Sequence, residues 1–126
     1  MMKLSEKEKE NALNEVRILA SIHHPNIASY KEAFFEESSN SLCIVMEYCD
    51  NGDLQSKINT AKKSQKFTKE DDIWSIFYQM VLGLQSLHKK QIIHRDIKCA
   101  NVFLNKDGMV KLGDLNVSKV AKAGIL

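Results

Sequence analysis

Between residues 5 and 22 the apolar positions recur at helical spacing, with Leu13, Val16 and Ala20 on one face. Ser5 and Glu8 are spaced as a capping box at the start of this predicted helix. His24-Pro25-Asn26 ends it, because the residue before a proline is pushed out of the α region. The period then changes. Segments 27–35 and 42–48 are rich in β-branched, aromatic and other apolar residues, and the polar run 36–41 between them predicts a hairpin loop. Segment 42–48 is almost continuously apolar, as expected of a strand buried on both faces. Asp50-Asn51-Gly52-Asp53 predicts a turn, followed by a short helix that begins near Asp53.

A long helix is predicted over 69–89, with Thr68 as its N-cap. Ile73, Phe77, Met80, Leu84 and Leu87 form one stripe that Trp74 and Val81 widen, so the helix is expected to be deeply packed. Gly83 lies inside it at a cost of about 1 kcal/mol against alanine and is expected to admit another backbone closely. The lysines at 62, 63, 66 and 69 read as a solvated stretch before this helix. Beyond it, 102–104 and 109–112 predict two short strands joined by Asn105-Lys106-Asp107-Gly108, in which Asp-Gly is a strong hairpin signal.

Composition narrows the class. Apolar residues make up 44% and charged residues 27%, values of a globular chain rather than a disordered one. The 126 residues fit one small domain or a piece of a larger one. A net charge of +2, from 18 basic and 16 acidic side chains, gives no electrostatic case for nucleic-acid or membrane binding. No apolar run approaches the ~20 residues of a membrane span, and the amino terminus lacks the apolar stretch of a secretory signal. Cys43, Cys49 and Cys99 cannot all pair with one another and form no C-x-x-C, which predicts a reduced, intracellular chain.

The chemistry concentrates between His94 and Asn116. His94-Arg95-Asp96-Ile97-Lys98-Cys99-Ala100-Asn101 contains H-R-D-x-K-x-x-N, and Asp114 follows the Asp-Gly hairpin. Six specified residue types at about one in twenty each give roughly one chance match in 10⁷–10⁸ starts. At these residues the chain resembles a protein kinase, and Lys98 points to the serine/threonine class. Val102-Phe103-Leu104 followed by Val110-Lys111-Leu112-Gly113-Asp114-Leu115 is similar to the NIMA-related (NEK) group. The resemblance implies an α+β, protein-kinase-like fold, present in part. Residues 1–48 would belong to the small lobe, 49–54 to the hinge and 55–126 to the large lobe as far as the activation loop.

The resemblance also implies roles. Phosphoryl transfer needs mainly positioning and charge neutralisation. Asp96 matches the carboxylate that orients the attacking hydroxyl and accepts its proton, and Lys98 places an ammonium near the transferring group. Asn101 and Asp114 match the magnesium ligands, hard oxygen donors of the kind this ion prefers. Glu15 matches the carboxylate that pairs with an ATP-anchoring lysine. Met46 matches the gatekeeper, and the backbone of Glu47 and Cys49 would meet adenine. Asp53 would meet the ribose, and Phe103 would form the pocket floor. Arg95 is expected to organise the activation segment, and His94 to steady the catalytic loop as a packed side chain. The implied cofactors are ATP and Mg²⁺, and the implied partners are proteins bearing Ser/Thr hydroxyls, cytoskeletal or ciliary ones included.

Two positions depart from the pattern. Asp114-Leu115-Asn116 stands where D-F-G is usual, and Cys99 where proline is common. Asparagine tolerates positive φ better than most residues, so the turn is plausible. The sequence contains no G-x-G-x-x-G, and no V-A-I-K-like strand precedes Glu15. The middle of a kinase domain is therefore expected. An active parent kinase, a pseudokinase or scaffold, and a short non-catalytic binding product are the alternatives.

Overall fold

The first helical pattern becomes α1, Glu6–Ala20. Its buried residues Val16 and Leu19 face inward, while Arg17 and Ile18 face solvent. The computed structural model describes residues 6–39, 41–115 and 119–120. The expected capping box lies outside the described structure, since Ser5 is not among the described residues and the Glu8 side chain is not described; Asn116 also lies outside the described residues. The chain divides into two compact units, one drawn from residues up to His23 and from Ser29–Glu47, the other from His24–Ala28 and from Tyr48 onward.

In the first unit α1 packs on a hairpin of β1, Tyr30–Glu36, and β2, Ser41–Met46. The strands are antiparallel with Ala33 opposite Ile44 and Phe34 opposite Cys43, and the register is irregular between Tyr30 and Glu32. Val16, Leu19, Ile22 and Tyr30 form the core of this unit. The expectation that β2 is buried on both faces is not met. Val45 stays 40% exposed and its neighbours are half-buried, because among the described residues this sheet has two strands and α1 covers one face.

The second unit opens with α2, Leu54–Lys63, capped by Asp53. The Ser56 N–H donates to Asp53 Oδ1 at 2.8 Å, satisfying one of the free amides of the first turn. Next comes α3, Glu70–Lys89. Its N-cap is Lys69, without a side-chain bond, rather than the expected Thr68. Glu70, Asp71 and Asp72 in the first turn complement the helix dipole in place of a cap. After α3 come β3, Ile92–Ile93, a 3₁₀ turn at Cys99–Asn101, β4, Val102–Leu104, and β5, Val110–Leu112. β4 and β5 are antiparallel with Phe103 opposite Lys111. Gly108, with φ of 88°, takes the left-handed conformation their tight connection needs. β3 pairs antiparallel with β6, Lys119–Val120, a pairing the sequence pattern did not reveal.

The expected strand at 27–35 starts later because its first residues pair elsewhere. Ala28 N–H donates to the Leu112 carbonyl at 2.8 Å, and Leu112 N–H to the Asn26 carbonyl at 2.9 Å. Residues 26–28 thus run beside β5, with Ile27 bridged to Leu112 in parallel sense. Ile27, Leu87, Ile92, Val102, Val110, Leu112 and Leu115 make the core of this unit.

The expectation of a deeply packed α3 is corrected by its burial. Only Gly83 and Leu87 are buried, whereas Ile73, Trp74 and Phe77 are 53%, 61% and 55% exposed. The carboxyl-terminal half of the stripe meets β5 and Asn26, and the amino-terminal half lies on the surface of the described residues. No described helix is long and apolar enough to cross a membrane.

Gly83 does admit a backbone. A Cβ built there would stand 2.6 Å from the Asn26 carbonyl oxygen and 3.1 Å from Leu112 Cδ1. Gly83→Ala is expected to destabilise the domain by about 1–3 kcal/mol, since overpacking outweighs alanine's better helix propensity of about 1 kcal/mol. Urea unfolding of the two proteins measures the difference, and an unchanged midpoint would show that α3 can shift away.

Candidate functional site

The loop between β3 and β4 turns sharply at Arg95, whose φ of 67° is left-handed. That conformation costs a non-glycine residue about 1 kcal/mol or more. The turn brings Asp96, Lys98 and Asn101 onto one another. Lys98 Nζ lies 2.8 Å from Asp96 Oδ2. Asn101 Nδ2 donates to the same Oδ2 and to the Asp96 backbone carbonyl, each at 2.9 Å. Asn101 is buried on the 3₁₀ turn, so it holds the more exposed Asp96 from below.

His94 connects this loop to the end of β5. Its ring is 1% exposed. Nε2 lies 2.9 Å from the Gly113 carbonyl, which can only accept, so Nε2 carries the proton. Nδ1 then accepts from the Asp96 N–H at 3.3 Å. The Gly113 N–H donates to the Asn101 carbonyl at 2.9 Å. Both polar groups of the Gly113 backbone are therefore held by the loop that carries Asp96. Asp114 follows with φ of 52°. Its charge acts on Lys98, which places Asp114 in the electrostatic environment of the same ammonium.

The charges reinforce one another. The hydrogen bond from Lys98 holds the Asp96 carboxyl below its ordinary 3.8, helped by Asn101 and opposed by partial desolvation. The bond to Asp96 raises Lys98 above 10.5, with a further contribution from Asp114. A depressed carboxylate stabilises the fold above its unfolded pKa, and that contribution is lost as pH falls through the folded value. A raised ammonium stabilises it below 10.5, and that contribution is lost as pH rises through the folded value. The pair is thus ionised throughout the neutral range.

The other predicted site residues are distributed between the two units. Asp53 and Phe103 form an antiparallel bridge, and the Gly52 and Leu104 backbones bond beside it at 2.9 Å. Ser56 N–H and Oγ donate to the Asp53 carboxylate, and these bonds hold it below 3.8. Cys49 is half-buried in the segment before that turn. Met46 ends β2 in the first unit, opposite Tyr30. Glu47 is held by Ser29, whose N–H donates to its Oε2 at 3.1 Å. Glu15 lies on α1, and its side chain is outside the described residues.

The Phe103 ring lies so close over Gly113 that a Cβ there would overlap it. Sequence reasoning missed this contact, which makes the glycine before Asp114 a packing requirement.

Asn101 uses Nδ2 for both side-chain bonds, leaving Oδ1 as an oxygen donor. With the Asp114 carboxylate it offers hard ligands that suit a magnesium ion also held by phosphates and water. No group of three or more His, Cys, Asp or Glu suited to a metal occurs among the described residues.

The protein kinase domain family matches residues 1–125. The chain belongs to the protein kinase domain family. It is 46% identical to the serine/threonine-protein kinase Nek1 of Mus musculus over 123 residues, covering 98% of this chain and 10% of that protein. It is 44% identical over 119 residues to Nek9 of Xenopus laevis, covering 94% of this chain and 12% of that protein. With Nek2 of Mus musculus the identity is 36% over 122 residues, 93% of this chain and 28% of that protein. The chain therefore spans a minor part of the length of these relatives. The α+β kinase fold, present in part, and the NIMA-related resemblance both stand.

Removing the ammonium tests the electrostatics of the kinase loop directly. In Lys98→Met the Asp96 carboxyl is expected to titrate closer to 3.8 than in the unaltered chain. Carbon-13 NMR of the Asp96 carboxyl follows this titration. Identical curves for the two proteins would show that Lys98 does not set the charge on Asp96.

Proposed function

We propose that the parent domain is a serine/threonine protein kinase that transfers the γ-phosphoryl group of ATP to protein hydroxyls. The observation that carries the reading is the Asp96 carboxylate, fixed by Lys98 and Asn101 at 2.8–2.9 Å and kept ionised. In this reading the acceptor hydroxyl donates a hydrogen bond to Asp96. Its oxygen forms the new bond to the γ-phosphorus, the bond to the ADP oxygen breaks, and the hydroxyl proton passes to Asp96. Lys98 neutralises charge on the transferring group. Magnesium would supply charge neutralisation at the phosphates, and Asn101 and Asp114 are the residues that would hold it.

The remaining assignments belong to the same proposal. Backbone groups of Glu47 and Cys49 meet adenine, with Met46 as gatekeeper and Phe103 as floor. Asp53 reaches the ribose while still capping α2, since each carboxylate oxygen can accept a second bond. Glu15 pairs with an ATP-anchoring lysine. Cytoskeletal or ciliary substrates and a cytoplasmic site of action rest on the NIMA-related resemblance alone.

In the complete parent domain, Asp96→Asn is expected to lower kcat by about 10²–10⁴ while Mg·ATP affinity stays within a few-fold. Asp114→Ala should instead weaken Mg·ATP binding. Steady-state kinetics and calorimetry separate the two effects, and normal turnover by Asp96→Asn refutes the base assignment.

The 126 residues by themselves are proposed to be inactive, as they contain neither a G-x-G-x-x-G loop nor a V-A-I-K-like strand. A loss of ~4 kcal/mol of transition-state stabilisation already costs about a thousandfold in rate. The exposed Trp74, Phe77 and Tyr78 of α3 should also make the isolated chain associate. Radiolabelled phosphate transfer by the purified chain, with Asp96→Asn as control, measures this. Asp96-dependent transfer by a monodisperse preparation is the outcome that defeats it.

A further inference from the structure

β5 is three residues long and leads directly into Gly113 and Asp114. On its inner edge it pairs with β4 alone. A two-stranded ribbon this short is marginal in water, so the groups on its outer edge decide whether it stays in place. Those groups are the N–H and carbonyl of Val110 and of Leu112. Leu112 is served by backbone, from Asn26 and Ala28. No backbone group of that segment bonds Val110, which is served by side chains instead. Its N–H donates to Gln79 Oε1 at 2.9 Å, and its carbonyl accepts from Asn26 Nδ2 at 2.9 Å.

Gln79 does more than fill one bond. Its Oε1 also accepts from Asn26 Nδ2 at 3.0 Å, orienting that amide toward the Val110 carbonyl. Its Nε2 donates to the Gly108 carbonyl at 3.1 Å, in the turn that leads into β5. One amide on α3 thereby stands in for a missing stretch of neighbouring strand. It reaches both the entrance to β5 and its first residue. The bond from Asn26, which is 4% exposed, to the Val110 carbonyl is buried, the two bonds to Gln79 Oε1 are partly buried, and the bond to Gly108 lies at the surface. Further along the chain, Gly113 is clamped by accepting from His94 and donating to the Asn101 carbonyl.

We infer that Gln79 is a positioning residue for Asp114, fixing the register of β5 from α3 and so the placement of the proposed magnesium-binding carboxylate. Gln79 touches neither substrate nor metal in this scheme. The inference rests on the kinase reading for what Asp114 does, but its structural part stands apart from that reading.

The test uses the complete parent domain and Gln79→Met, which keeps the side chain's length and apolar packing while removing all its hydrogen bonds. Gln79→Glu serves as the conservative variant, because it keeps acceptor oxygens for Val110 and Asn26. Hydrogen exchange of the Val110 and Leu112 amides, followed without nucleotide, reads the strand. Calorimetric titration with Mg·ADP reads the site, with Asp114→Ala as reference. In Gln79→Met the Val110 amide should exchange about three- to tenfold faster, and Mg·ADP should bind more weakly by a similar factor. Gln79→Glu should recover most of both. If Gln79→Met should unfold, Gln79→Glu alone must show protected Val110 with faster exchange at the Gly108 turn. Unchanged exchange at Val110, or faster exchange with unchanged Mg·ADP affinity, overturns the inference. If Asp114→Ala binds Mg·ADP as tightly as the unaltered domain, the kinase reading of Asp114 is what fails.

Discussion

The site depends on how the backbone of a single residue is held. Gly113 donates its N–H to Asn101 and offers its carbonyl to His94. Both partners lie in the loop that carries Asp96. Two carboxylates far apart in sequence are thereby tied through about two hydrogen bonds and one buried ring. The glycine is needed because the Phe103 ring occupies the space a side chain would take. Packing and hydrogen bonding thus act on the same residue, and a change in either would move Asp114 relative to Asp96.

Burial divides the work within the loop. His94 and Asn101 are buried and make directional bonds in a low-dielectric setting, where such bonds hold geometry well. Asp96 and Lys98 are more exposed, so their ion pair is screened and contributes modestly to stability. It presents charges of both signs to solvent at short range, as the proposed transfer to a hydroxyl would use.

Much of this was legible in the sequence, for identifiable reasons. Asp53 as helix start and the Asp107-Gly108 turn depend on local chemistry, which short patterns report well, whereas Asp96, Lys98 and Asn101 were picked out by the motif that carries the kinase resemblance. Gly83 was legible too, because a glycine inside a helix needs a steric reason and the Asn26 carbonyl supplies one. Burial was read less well. The stripe on α3 and the apolar run of β2 state what these segments are suited to pack against, and the described residues cover only part of each. The pairing of residues 26–28 with β5 joins segments far apart in the chain and leaves no periodic trace. Gln79 left one faint signal: a polar residue four before Gly83, on the face that turns toward Asn26.

Arg95 and Asp114 share a left-handed backbone, a conformation glycine adopts without strain. If only the change of chain direction mattered at these two places, glycine would be the easier solution. The chain instead carries its longest cationic side chain at one and a short anionic one at the other. Each of the two also engages other groups of the molecule. What these positions require is therefore a functional group delivered from a cramped backbone. Their tolerance of replacement should follow side-chain chemistry first and ease of turning second, the reverse of Gly108, where nothing stands within 4 Å of a built Cβ.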